Sequence, residues 1–269
     1  MSVGEPGTRM ARRWTAVAGL VVAALGVMLA AAEAPRVVFL ISEDPDNYGA
    51  HETIPPFAEW LEDAHGFAVT VILGEGEPVA FRFPELEEAL ADADAAVVFF
   101  RRRALSEEQL GALQAYVEAG NPLVGIRTAN HAFAIRPNVE GEIAEGYADW
   151  WDFPPDVLGC ENRGYGPVDP GTAVEPAPDM TDHPILDGVE PLAWRSEGNV
   201  YHVAPLVDEE AELLLTGTVE EAVEPIAWTR RTEHGGPVFY TSLGHPTDFE
   251  TPQFRALLVN GVRWAIEQR

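Results

Sequence analysis

Apolar runs and amphipathic helical segments alternate along the first half of the chain, and this alternation constrains the fold more than any other feature. The run Arg36 to Ser42 (RVVFLIS) is continuous and rich in β-branched residues, as in a strand that is buried on both faces. Helical patterns and further apolar runs then follow in turn. Strands that alternate with helices at this spacing form right-handed crossovers. The sequence therefore predicts an α/β fold with a mostly parallel central sheet.

The same patterns predict the bounds of each element. One helix is expected to begin near Pro55 or Pro56, because proline is favoured in a first helical turn, and to end at Gly66. Ser106 is expected to cap a later helix. No internal repeat occurs, and the Pro- and acid-rich residues 137–195 are predicted to form an elaborated region over one end of the sheet. The other predicted strands are 67–73, 95–100, 122–126, 213–215, 225–228 and 238–242, and the other helices are 84–92, 106–119 and 252–267.

The N-terminal segment has the pattern of an export signal. Three arginines precede an apolar segment at 16–32, and a small-residue pattern ends at Ala34. We predict a signal peptide over residues 1–34 and a single secreted or periplasmic domain over residues 35–269, with no stable membrane insertion once the signal is cleaved. A retained membrane anchor is the alternative, because an apolar segment of about 17 residues is at the lower bound for a span.

Charge and composition exclude several classes of function. The 44 acidic and 17 basic residues give a formal net charge of −27, and such a surface repels nucleic acids and anionic lipids. Every basic residue is arginine, and the absence of lysine excludes Schiff-base enzymes, pyridoxal-phosphate enzymes and P-loop nucleotide hydrolases. Cys160 is the single cysteine, which excludes an intrachain disulfide and a Cys-rich zinc site.

Three polar loops are predicted at the carboxyl ends of strands, where open parallel sheets bind ligands. They are SEDPDNYGAH (42–51), RTANHAF (127–133) and GHPTDF (244–249). A strand that leads through a tight turn into a helix exposes one side chain at the edge of the sheet and directs backbone N–H groups to a ligand. Thr128 or Ala129 is predicted at that point of the second loop. We expect the three loops to converge on one site.

Four segments, taken together, resemble the ThuA-like family, which is named for trehalose utilisation. They are GIRTANHAF (125–133), DHPIL (182–186), PIAWT (225–229) and VFYTSLGHPTDFETPQFRALLVNGVRWA (238–265). The resemblance spans most of residues 36–268. It implies a flavodoxin-like three-layer sandwich, similar to class I glutamine amidotransferases, and a link to carbohydrate metabolism.

The sequence departs from the amidotransferase pattern at the reacting residues. Amidotransferases of this fold place a cysteine at the strand–turn–helix elbow and a His-Pro-Glu element late in the chain. Here His245 and Pro246 are followed by Thr247 and Asp248, and the elbow has no cysteine. Cys160 lies outside that turn. Glutamine hydrolysis through a thioester is therefore not expected.

Acid–base chemistry is the reaction type that remains, with His131, His245, Arg127 and Asp248 as catalytic candidates. We expect the two imidazoles to flank one pocket, Asp248 to orient His245 or titrate itself, and Arg127 to polarise a carbonyl or bind a carboxylate. A sugar or an oxidised (keto) sugar suits such a site, because the proton beside a carbonyl needs a base. The structural alternatives are helix caps and satisfied core imidazoles for the histidines and a buried ion pair for the arginine.

Substrate binding is expected from residues beside these candidates. Trp150 and Trp151 are expected either to stack on a sugar ring or to pin the long loop onto the sheet. Tyr201 falls where the family has a Tyr-containing strand. The remaining candidates lie in the first and second polar loops: Glu43, His51, Thr128 and Asn130.

The sequence requires no cofactor, and two other functions stay open. A non-catalytic carbohydrate-binding protein is one, because the fold lacks its nucleophilic cysteine. A metal-dependent hydrolase is the other, although no close ligand spacing such as His-x-x-x-His occurs. Its divalent ion would be held by His131 or His245 together with first-loop residues: Glu43, Asp44, Asp46 and His51.

Overall fold

The computed structural model describes residue 1, residues 33–44 and residues 46–269. The predicted signal peptide lies almost wholly outside these residues. Residues Ala34–Arg269 form one compact unit. Of the helices in the described residues, none is long and apolar enough to cross a membrane.

Strands and helices alternate through the first half of the described chain. In chain order the elements are β1 (Arg36–Ser42), α1 (Ala50–His65), β2 (Ala68–Glu77), β3 (Ala80–Arg82), α2 (Leu86–Ala91), β4 (Ala95–Phe99), β5 (Leu105–Ser106), α3 (Glu107–Glu118), β6 (Leu123–Ile126), α4 (Pro137–Glu140), β7 (Tyr147–Ala148), β8 (Thr172–Pro176), β9 (Trp194–Ser196), β10 (Glu212–Val219), β11 (Ala222–Arg231), β12 (Pro237–Thr241) and α5 (Pro252–Glu267). Short 3₁₀ helices cover Arg127–His131, Pro184–Leu186 and Pro246–Glu250, and a π-helix covers Phe153–Leu158.

The strands form one sheet with the order β7-β5-β3-β2-β1-β4-β6-β12-β11-β10-β8-β9. Its centre, from β2 to β12, is parallel throughout. From β12 outward through β11, β10, β8 and β9 the pairing is antiparallel. The predicted flavodoxin-like α/β architecture is confirmed. Because β2 and β4 lie on opposite sides of β1, the direction of winding changes between β1 and β4.

Two hydrophobic cores lie on opposite faces of the sheet, which gives the three layers. One contains α1 and α5 side chains such as Phe57 and Phe254, and the other contains α2 and α3 side chains such as Leu90 and Leu110. Alternate residues of β4 enter alternate cores, so the strand is buried along its whole length. This double burial explains why the central strands are continuous apolar runs.

The structure corrects some predicted bounds and confirms others. Helix α1 begins at Ala50, after a left-handed Gly49, and runs through Pro55 and Pro56. It tolerates the prolines because its apolar side chains, Phe57 among them, are buried against the sheet. The N-cap at Ser106 is confirmed, since its hydroxyl accepts a hydrogen bond from the Gln109 amide at 3.2 Å. Strands β8 and β9 were not predicted within residues 137–195.

The contact between α5 and β12 can be tested with one glycine. A Cβ atom at Gly261 would overlap the buried ring of Phe239. We expect Gly261→Ala to lower the free energy of unfolding by about 1–3 kcal/mol, because the added methyl group overpacks the core. Gly111 in α3 is the matched control, since its Cβ would meet no atom within 4 Å. Gly111→Ala should raise the stability by about 0.5–1 kcal/mol. Urea denaturation measures both, and unchanged stability of Gly261→Ala would contradict this packing.

Candidate functional site

The loops that follow β1, β4 and β6 meet at the carboxyl edge of the sheet. The Thr128 hydroxyl donates to Asn47 Oδ1 at 2.7 Å, and Asn47 Nδ2 donates to the Phe99 carbonyl at 3.0 Å. These two bonds join all three loops. They do so where the winding of the sheet changes direction, which is where doubly wound sheets bind ligands. The site is therefore in the position that the sequence pattern predicted for the first two polar loops.

Arg127 is the residue at which the chain turns out of β6. Its φ angle is +44°, a left-handed conformation that costs a residue with a side chain of the order of 1 kcal/mol or more. The Tyr240 hydroxyl donates to the Arg127 carbonyl at 2.8 Å and helps to hold the turn. The strained point of the elbow is thus Arg127, one or two residues earlier than the predicted Thr128 or Ala129.

The Arg127 side chain is fully buried in a cluster that we call the Arg127 clamp, formed by Arg127, Tyr48, Tyr201 and Asn199. Its Nη1 donates to the Ser242 carbonyl at 2.8 Å, and its Nη2 donates to Asn199 Oδ1 at 2.5 Å. Its Cζ lies 4.0 Å from the ring centre of Tyr48 and 4.9 Å from that of Tyr201. Backbone and amide oxygens therefore satisfy both terminal nitrogens and two aromatic faces cover the cation, while its buried Nε has no hydrogen-bond partner among the described residues.

Tyr48 was not predicted as a site residue, although it lies in the first polar loop. Burial alone would raise the pKa of its phenol. The Arg127 guanidinium and the neighbouring Tyr201 hydroxyl outweigh burial, so the pKa of Tyr48 lies below its usual value of 10. The sequence signal was a single aromatic residue, Tyr48, in a loop rich in carboxylates. Its role could not be predicted, because its partner Arg127 lies about 80 positions further along the chain.

His245 and Asp248 lie beside the Arg127 clamp. The His245 ring stands edge-on to Tyr48, with 6.3 Å between ring centres, and its Nδ1 lies 2.8 Å from the Thr247 hydroxyl. Asp248 Oδ2 accepts the backbone amides of Gly244 and His245, each at 2.9 Å. Asp248 thus holds the backbone of the turn and makes no hydrogen bond to the imidazole. Burial, assisted by Arg127, lowers the pKa of His245.

His131 lies at the end of the 3₁₀ helix after β6, in contact with two amide side chains. Its Nδ1 is 2.5 Å from Asn130 Oδ1 and 2.9 Å from Asn162 Nδ2. Asn130 Oδ1 can only accept and Asn162 Nδ2 can only donate, so the two contacts favour opposite tautomers. The tautomer whose Nδ1 proton is directed at the closer Asn130 oxygen has its lone pair on Nε2. Burial and the nearby guanidinium groups of Arg102 and Arg101 hold the pKa of His131 well below 6.5. The imidazole is therefore neutral at physiological pH.

His131 lines a cavity of about 430 Å³, which we call the His131 cavity. This volume is within the range of small-molecule sites. The cavity lies between the β4 and β6 loops and the π-helix, and Trp151, 54% exposed, lies at its rim. The side chains that line it and bear polar groups are Arg102, Asn130, His131, Arg136, Asp152, Glu161 and Asn162.

The catalytic candidates fall into two neighbouring groups. Arg127, His245 and Asp248 belong to the region of the Arg127 clamp and are not among the residues that line the His131 cavity. Tyr201 lies between the two groups, since its ring is 4.9 Å from Arg127 Cζ and its ring centre is 5.9 Å from that of His131. The structure therefore brings His131 together with Asn130 and Trp151, whereas His245 contacts the opposite side of the clamp.

The other candidates have separate environments. Trp150 packs on Phe153, with ring centres 5.1 Å apart, and helps to pin the long loop to the sheet. Glu43 is exposed, and the His51 ring lies in the first turn of α1, with its Nε2 3.8 Å from a Glu52 carboxylate oxygen. Cys160 is fully buried, and burial raises the pKa of its thiol to about 12, which keeps it protonated.

The carboxylates of the first loop are engaged by arginines. Asp44 pairs with Arg103 at 2.7 Å, and Asp46 pairs with Arg101 at 2.9 Å. Across residues 33–44 and 46–269, no three His, Cys, Asp or Glu side chains are grouped as they would be around a metal ion. Two of the carboxylates that the sequence offered as metal ligands, Asp44 and Asp46, thus pair with Arg103 and Arg101 of the basic run after β4.

The fold and site define a doubly wound α/β protein in which a buried arginine forms the turn after β6. The family model for ThuA, described as trehalose utilisation, matches residues 37–265, and the chain belongs to this family. The comparison with curated protein sequences gave no match.

Two solved structures of ThuA-like proteins have the same fold. One, from Bacteroides uniformis, is 18% identical over 89% of this chain and 95% of its own, with a TM-score of 0.64. The other, from Parabacteroides merdae, is 14% identical over 87% of this chain and 90% of its own, with a TM-score of 0.61. At these identities the likeness concerns the fold alone.

The neutral state of His131 predicts a pH-dependent stability. An unfolded histidine titrates near pH 6.5, whereas folded His131 takes up its proton only at lower pH. Stability is therefore full above pH ~6.5 and falls on acidification, by up to about 1.4 kcal/mol per pH unit from this group. We expect His131→Gln to reduce this slope in urea denaturation between about pH 7 and pH 5. The exposed His234→Gln should retain the original slope, and equal slopes in all three proteins would contradict the buried neutral imidazole.

Proposed function

We propose that this protein is a secreted enzyme that processes a sugar, or an oxidised (keto) sugar, by acid–base catalysis in the His131 cavity. The observation that carries the proposal is the buried, neutral His131 imidazole in the wall of this cavity. In the described part of the chain its Nε2 has no hydrogen-bond partner, and it is not enclosed by protein. A lone pair at a cavity wall is what a general base requires.

The chemistry follows from the groups around that lone pair. His131 Nε2 takes the proton from the carbon next to a carbonyl group, and the electron pair of the broken C–H bond moves onto the carbonyl oxygen. The carbonyl carbon and the carbon that lost the proton are then joined by a double bond. Transfer of the hydroxyl proton of that second carbon to the enolate oxygen, with return of the proton from Nε2 to the former carbonyl carbon, isomerises the sugar. Loss of a group β to the carbonyl is the alternative outcome, an elimination.

A saccharide is supported by the rim of the cavity and by the family. The Trp151 indole is 54% exposed, and its Nε1 donates to an Asp149 carboxylate oxygen at 2.7 Å, which restrains the ring. A restrained, exposed indole is a stacking surface for the apolar face of a pyranose. The family description, trehalose utilisation, adds a second line of support for a carbohydrate.

The test is turnover of disaccharides and their 3-keto forms, followed by mass spectrometry with purified protein. We expect His131→Ala to reduce turnover at least about 100-fold, because it removes the general base. His234→Ala, a substitution of an exposed imidazole, should have no effect. The turnover of His245→Ala tests separately whether the residues beside the Arg127 clamp contribute to the reaction. Turnover that is unaffected by His131→Ala would contradict the proposal.

The exposed Trp151 also favours a second candidate, a carbohydrate-binding protein without catalysis. The same experiment distinguishes the two. If the original protein binds a saccharide but converts no compound, and Trp151→Ala abolishes that binding, the protein is a binding protein without catalysis. Conversion that depends on His131 would exclude it.

We propose that residues 1–34 direct export and are then removed. The support is the arginine-rich start, the apolar segment and the small residues before Pro35. The measurement is N-terminal sequencing of protein recovered from outside the cytoplasm, and we expect the mature chain to begin at Pro35. A chain that retains its first residues in the membrane fraction would show the anchor alternative instead.

A further inference from the structure

Arg102 is a buried arginine that has no carboxylate partner in the described residues. Its neighbours Arg101 and Arg103 are paired with Asp46 and Asp44, yet no carboxylate lies within 4.0 Å of the Arg102 guanidinium. The side chain is 8% exposed overall, and its Nε is buried without a hydrogen-bond partner. In a chain with 44 acidic and 17 basic residues, a shortage of acids does not explain this. An unpaired buried charge is costly, so its retention calls for a partner.

The position of Arg102 is set by the backbone rather than by its charge. Its amide donates to the His131 carbonyl at 3.1 Å, and the Arg103 amide donates to the Ala132 carbonyl at 2.7 Å. Its Nη1 donates to the Ala134 carbonyl at 2.7 Å. The loop after β4 is therefore held against the 3₁₀ helix, and the guanidinium forms a preorganised part of the wall of the His131 cavity.

One further group of the same wall can bind an anion. Arg136 lines the cavity, where one edge of its guanidinium is paired with Glu140. Two acidic side chains, Asp152 and Glu161, line the cavity as well, but both are exposed and Glu161 pairs with Arg163 at 3.1 Å. The buried part of the wall is thus cationic and the exposed part acidic.

We infer that the ligand of the His131 cavity is an anionic sugar whose carboxylate binds Arg102, with Arg136 as a further donor. This inference rests on the proposed function and narrows its substrate to sugar acids. A carboxylate matches the planar fork of a guanidinium. A phosphate group would satisfy the same donors. Its second negative charge, however, has no uncompensated cation and would face Asp152 and Glu161.

The test compares D-glucuronate with D-glucuronamide, which has the same shape without the charge, by calorimetry or ligand-observed NMR at neutral pH. We expect glucuronate to bind at least about tenfold more tightly. Arg102→Gln should abolish this preference and leave the affinity for glucuronamide within about twofold. Arg82→Gln removes the same charge from an exposed pair with Glu75, outside the residues that line the cavity, and should preserve the preference.

Each other outcome has a defined meaning. Equal affinity for the acid and the amide, or no binding of glucuronate at millimolar concentration, would overturn the inference. Tighter binding of D-glucose 6-phosphate than of glucuronate would overturn the assignment of a carboxylate. Should Arg102→Gln fail to fold, Arg136→Gln replaces it, because that side chain is partly exposed, and we expect it to weaken glucuronate binding selectively.

The same proteins separate this inference from the proposed function. His131→Ala should abolish turnover and retain the preference for glucuronate over glucuronamide. If the original protein shows no preference for glucuronate while His131→Ala still abolishes turnover, the anionic substrate alone is overturned. If the original protein prefers glucuronate while His131→Ala leaves turnover unchanged, the proposed catalytic role alone is overturned.

Discussion

Burial of the Arg127 guanidinium is the interaction on which the arrangement of the loops depends. A cation enclosed by protein without an adjacent carboxylate must be satisfied by dipoles and aromatic faces. The Ser242 carbonyl, the Asn199 amide and the rings of Tyr48 and Tyr201 do so from three separate segments. Each segment is therefore drawn to one point above the sheet. The elbow residue thereby has a structural role.

Two buried arginines in this region have contrasting environments. Neither has a carboxylate within 4.0 Å in the described residues, but Arg127 has partners for both terminal nitrogens, whereas Arg102 has a single backbone acceptor. This difference is the basis of the anion site that we infer at Arg102. It also affects His131, whose pKa Arg102 lowers. A carboxylate bound to Arg102 would offset that effect and make Nε2 a stronger base, so ligand binding would prepare the site for proton transfer.

The sequence predicted the parallel core well, and the edges and the site less well. Strand β1 and helix α5 have the predicted bounds, because a two-face apolar run and an amphipathic period are local signals. Strands β8 and β9 were missed because short edge strands carry little apolar periodicity. The start of α1 was wrong because tertiary burial of Phe57 and Leu61 overrides the local preference of the two prolines. Trp150 and Trp151 are adjacent in sequence, yet only Trp151 lies exposed at the cavity rim, and periodicity cannot distinguish them outside regular structure.

The sequence by itself determined the fold class, the family likeness, the anionic surface and the absence of a nucleophile at the elbow. These properties follow from the overall composition or from local sequence patterns. They can therefore be predicted without knowing which distant residues are in contact. Only the tertiary structure decided that His131 and His245 belong to different groups and that Arg102 is buried without a carboxylate while its two neighbours are paired. Such facts depend on how loops from separate strands pack above the sheet, and three consecutive arginines look identical until that packing gives each a different neighbour.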